Sequence, residues 1–202
     1  RQSRRRRARK PAGFDFTARV RLVCHDMTQR VPELGHIDIH RVAVGFSQTR
    51  KSVSHGMYAS LTPMRFVGGS TSTVRGGKNW GIQRLEDDRG HEMLYILSFY
   101  LPRFLDLDFR EKLTTIVHEL WHISPRFDGD VRRFKGRCYA HSGSQKNFDA
   151  VAERLADDWL SLKPPVELYQ FLHHGYRKLS ELHGPVYGTK IPTPKLFPLK
   201  EQ

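Results

Sequence analysis

The sequence predicts an α+β domain, with an antiparallel or mixed sheet from the first half followed by helices in the second. Three observations carry this. Residues 36–46 alternate apolar and polar as a half-buried strand does. Residues 92–101 form a short aromatic and aliphatic run ended by Pro102. From Asp106 onward the apolar spacing becomes that of helices.

A length of 202 residues suits one domain with tails, and 38% hydrophobic residues suffice for a core. The expected organisation is a basic tail at 1–13, a single domain at 14–183 and a Pro-rich extended tail at 184–202. Lys and Arg number 34 against 21 acidic residues, a net charge of +13. Seven of these cations lie between Arg1 and Lys10. Such a run is either a solvated tail or an arm for DNA or another polyanion. No aromatic residue interrupts it, so base stacking has no support there. Two cysteines, Cys24 and Cys138, do not make a disulfide framework and are expected to be reduced. No stretch reaches the length of a membrane span, and the basic start lacks the apolar core of a secretory signal. The expectation is a cytoplasmic protein without membrane contact.

The elements follow in order. Residues 14–34 fit a strand or a helix, and periodicity leaves the choice open. Residues 36–46 are read as a strand. Residues 57–67 are a second strand candidate, with Pro63 implying an edge position or a break. The Gly/Ser/Thr-rich stretch at 68–81 reads as a surface loop or flap. It lacks the spacing of a phosphate-binding Walker loop, because Lys78 is followed by Asn79. The run at 92–101 is a strand. Asp106 or Asp108 then caps a helix with Phe109, Leu113, Ile116, Val117, Leu120 and Trp121 on its apolar face. Ser142 or Ser144 can cap a helix near 145–162, and Pro164-Pro165 opens another from Val166 to about Leu182.

The chemistry lies in the helix after Asp108. His118 and His122 are four residues apart, which stacks both imidazoles on one face. Two neutral imidazoles so placed can each give a nitrogen to one tetrahedral zinc at about 2.0–2.1 Å. Glu119 projects beside such a metal and can take a proton from the attacking water. The first candidate for a third ligand is His141, 19 residues after His122 and just ahead of the next helix. Glu153, Asp149 and Asp128 are its rivals. Glu153 and Asp157 also suit the role of orienting a ligand histidine. His36, His40, His173, His174 and His183 read as ordinary histidines. Arg132, Arg133, Lys135 and Arg137 form a basic loop, either solvated or facing an acidic partner. Tyr139 is a candidate oxyanion donor.

The run His118-Glu119-Leu120-Trp121-His122-Ile123, with Pro125 and Phe127-Asp128-Gly129 behind it, resembles the zincin metallopeptidases. Arg132-Arg133 and Ala140-His141-Ser142-Gly143 extend the likeness to phage-type metallopeptidases and the SprT-like group. The resemblance spans roughly 36–160, and its specific part is 113–148. It implies a zinc cofactor, His118 and His122 as ligands with a downstream histidine as the third, Glu119 as the base, and a protein or peptide substrate. The chain departs from the pattern at Phe134, where the phage-type proteins tend to carry the histidine. A serine also separates His141 from Gly143, where the SprT-like pattern has His-Gly. On this reading the strand at 92–101 is expected to line the cleft and pair with an extended substrate. The competing reading is a basic nucleic-acid-associated protein with a structural or vestigial zinc site.

Overall fold

One side chain decides the segment that periodicity leaves open. The carboxylate of Asp15 accepts from the backbone N–H of Ala18 at 3.0 Å and starts helix α1, Phe16–Arg30. The computed structural model describes residues 13–49, 56–134 and 145–199. Among them the protein is α+β, with five α-helices and three small sheets. The other helices are α2 Phe109–Trp121, α3 Gln145–Ser161, α4 Val166–Tyr169 and α5 Tyr176–His183. The strands are β1 Phe14–Asp15, β2 Val42–Gln48, β3 Ala59–Pro63, β4 Ser72–Arg75, β5 Lys78–Ile82, β6 Tyr95–Leu101, β7 Val186–Tyr187 and β8 Leu196–Pro198.

The aromatic strand β6 is the centre of the main sheet, parallel to β2 on one side and antiparallel to β3 on the other. Its apolar residues suit a strand that is covered on both faces. The ring of Phe16 on α1 meets Phe99 on β6 edge-on at 5.5 Å. Cys24, also on α1, is buried, and burial pushes its thiol up to about 12. Trp159 on α3 donates its indole N–H to Asp26 on α1 at 2.8 Å, which joins the two helices across the core. β3 takes the edge position that Pro63 predicts, since a proline has no N–H for a ladder. The outer rim of β2 is covered by the chain beyond β7, where Phe46 donates to the Thr189 carbonyl at 3.0 Å.

Four segments differ from expectation for local reasons. The strand expected from residue 36 begins only at Val42. Asp38 accepts from the N–H of His40 and winds Ile39–Arg41 into a 3-10 turn. His36 and His40 therefore share no strand face. The expected loop at 68–81 contains the hairpin β4–β5, turning through Gly76 and Gly77 at φ 56 and 72°. Positive φ at both central residues is what a type I′ turn requires. The helix expected over 166–182 is broken at Gly175. There the Lys112 ammonium donates to the Leu172 carbonyl at 2.8 Å and to the His174 carbonyl at 3.0 Å. Finally, the Pro-rich stretch after Gly184 is extended but paired: β7 joins β1 and β8 joins β5. No helix among the described residues is long and apolar enough to cross a membrane.

Candidate metal centre

Helix α2 is fixed at its start and along one side. Asp108 accepts from the N–H of Glu111 at 2.8 Å, and the Glu111 carboxylate accepts from the N–H of Asp108 at 3.1 Å. This reciprocal cap sets the helix phase. Leu113, Ile116, Val117 and Leu120 are buried beneath it. His118 and His122 therefore project from the flank of the helix that meets α3. The two helices run antiparallel, with His118 against Asp149 near one end and Arg110 paired to Asp157 near the other.

The two imidazoles converge. Nε2 of His118 lies 3.2 Å from Nε2 of His122. Two ligands of a tetrahedral zinc at about 2.0–2.1 Å stand about 3.3 Å apart, so the pair fits one ion. Nδ1 of His118 is 3.1 Å from a carboxylate oxygen of Asp149. A proton held there leaves Nε2 as the bare lone pair, which is the tautomer a metal needs. Phe148, the residue before Asp149, walls the pair. Its ring stacks on His122 at 4.5 Å and meets His118 edge-on at 4.8 Å.

The chain after α2 locks the helix end. Arg132 donates from its backbone to the His122 carbonyl and from Nε to the Trp121 carbonyl at 2.8 Å. Its guanidinium lies 3.6 Å above the Trp121 ring. Arg133 makes a bidentate pair with the buried Asp130 at 2.7 and 2.8 Å. The expected basic loop is thus internally engaged at Arg132 and Arg133. Lys135 and Arg137 lie outside the described residues, as does Tyr139.

Glu119 is buried beside the sheet edge. Burial pushes its carboxyl up to about 7, and the Leu61 backbone partly offsets this. The reason Leu61 faces it is ladder phase. Tyr58 accepts from Tyr100 on β6 and Met64 donates to Leu94 just before it, so in an antiparallel ladder the N–H and C=O groups of the odd residues Ala59 and Leu61 point outward. β6 has a neighbour on each side, so the strand expected to receive a substrate is fully paired. The strand with an outward rim beside the histidines is β3.

His141 lies outside the described residues. Among the described residues no third His, Cys, Asp or Glu joins His118 and His122 in a group able to hold a metal. Asp149 contacts the far nitrogen of His118. Glu153 lies one turn further along α3, on a groove of about 370 Å3 shared with Tyr58, Glu111, Thr114 and Asp157. Asp128 sits on Arg126 at 3.0 Å. The orienting contact of Asp149 is what sequence reasoning missed. Its only signal was a place on the next helix directly after the apolar Phe148.

Comparison with known proteins yields no match: no family model, no curated protein and no solved structure corresponds to the chain.

Proposed function

We propose that the protein is a zinc-dependent peptidase of the zincin kind, with His118 and His122 as two zinc ligands, His141 as the third and Glu119 as general base. The observation that carries this reading is the convergence of the two Nε2 atoms to 3.2 Å beside a buried carboxyl. A bound zinc would supply Lewis-acid polarisation of the scissile carbonyl and acidify a water. Glu119, held near neutrality by burial, takes the proton from the attacking water and returns it to the leaving amine. Asp149 keeps His118 in the ligating tautomer. The outward groups of Ala59 and the Leu61 carbonyl can pair with an extended peptide and lay it along the histidines, while the Leu61 N–H holds Glu119. Phe148 shields one side of the pair from water.

Elemental analysis and peptide hydrolysis test this together. Protein purified without added metal should carry about one zinc, and His118→Ala or His141→Ala should lose most of it. Glu119→Gln should keep the zinc and lose about 10²–10⁴-fold in hydrolysis. Full activity in Glu119→Gln would sink the mechanism. Zinc retained in His141→Ala would move the third ligand elsewhere.

A further inference from the structure

Among the described residues the sheet β4-β5-β8 packs mainly within itself. Val74 is 68% exposed and Leu196 is 42% exposed, on opposite faces. Strand register puts Thr73, Arg75, Lys78, Trp80, Ile82, Leu196 and Pro198 on one face, with Arg75 directly opposite Lys78 and Trp80 between Thr73 and Pro198. Like charges directly opposite one another destabilise a ladder, so an isolated sheet gains nothing from this pair. The strands and the segments flanking them carry only basic charges, with the acids Glu86, Asp87 and Asp88 starting just beyond. Residues 65–85 and 189–199 contain Arg65, Arg75, Lys78, Arg84, Lys190 and Lys195 and no acid. Arg65 and Arg84 are taken up by Glu92, whereas Arg75, Lys78 and Lys195 are in no ion pair among the described residues.

We propose that this face binds single-stranded nucleic acid, with Arg75 and Lys78 on the phosphates and Trp80 stacking on a base. A cation pair beside an aromatic ring on an open sheet is the combination such ligands use, and the ring favours single strands because duplex bases are already stacked. The arm from Arg1 to Lys10 carries charge but no aromatic residue, so base stacking belongs to the sheet. This inference is independent of peptide hydrolysis at His118 and His122.

Fluorescence anisotropy of the full chain tests it, using a labelled oligothymidine of about 12 nucleotides, within the usual site size, a matched duplex and anionic phospholipid vesicles. The single strand should bind more tightly than the duplex. Trp80→Leu keeps an apolar filler, removes the ring face and should weaken binding about tenfold, while Trp80→Phe should stay near wild type. The double change Arg75→Gln, Lys78→Gln should lower the slope of log affinity against log salt by about 1.4. Equal binding by Trp80→Leu and wild type, preference for duplex, or binding to vesicles without the oligonucleotide would each overturn the proposal.

Discussion

The sheets β2-β6-β3 and β4-β5-β8 have three strands each and contrasting surroundings. Helices pack on one face of the first, and Phe99 in its central strand is 0% exposed. The second is held by its own hairpin and by β8, and Phe197 in that strand is 44% exposed. The difference separates two ways of placing chemistry. The buried Leu113, Ile116, Val117 and Leu120 hold α2 against the core and thereby orient His118, Glu119 and His122. Exposure leaves Arg75 and Lys78 accessible from solvent, with Trp80 half-buried beside them and donating its indole N–H to the Arg75 carbonyl at 3.4 Å.

The contrast can be broken first by truncation. Phe99→Ala should lower unfolding free energy by about 3–5 kcal/mol, and Phe197→Ala by less than about 1 kcal/mol. Similar losses for both, measured by urea denaturation, would mean that the second sheet is part of the same cooperative core. The next largest effect sharpens the contrast from the buried side. Lys112 is enclosed between α2 and the turn ahead of α5, and burial lowers its ammonium to about 8. Between pH 8 and the ordinary lysine value the unfolded chain binds the extra proton. Stability therefore rises with pH across that window, by roughly 2–3 kcal/mol. Lys112→Met should flatten the rise, and a flat wild-type profile would remove the buried-charge argument. The smallest effect concerns the proposed metal centre. Asp149→Asn should weaken zinc binding about 10–100-fold, read by competition with a chelator at fixed pH. Unchanged affinity would make the His118 contact incidental.

Legibility in the sequence follows the range of the interactions. Helix α2 was readable because its cap, its apolar stripe and its two histidines all lie within one short segment. Pro63 narrowed β3 to an edge position or a break, and the sheet resolves it as the edge. The hairpin at Gly76-Gly77 was hidden, since small residues carry almost no alternation of polarity. The break at Gly175 was hidden because its cause, the Lys112 side chain, sits 63 residues earlier in the chain. The contact from Asp149 to His118 was hidden for the same reason. Spacing within one helix says nothing about which residue of the next will face it. The identity of β6 as the central strand, rather than the strand open to a partner, likewise depends on where β3 returns.

The covered rim of β2 has a consequence for biogenesis. Residues 42–48 leave the ribosome some 140 residues before Thr189, whose carbonyl closes the Phe46 rim. Until then the nascent sheet presents an open strand next to an aromatic neighbour, the kind of edge on which chains stick to one another. Ile191 then lies against Gly45, where a Cβ would come within 3.0 Å of its side chain. Synthesis of the last segment thus acts as a timed seal. A chain cut short before it would keep helix α2 intact and lose its protection against self-association.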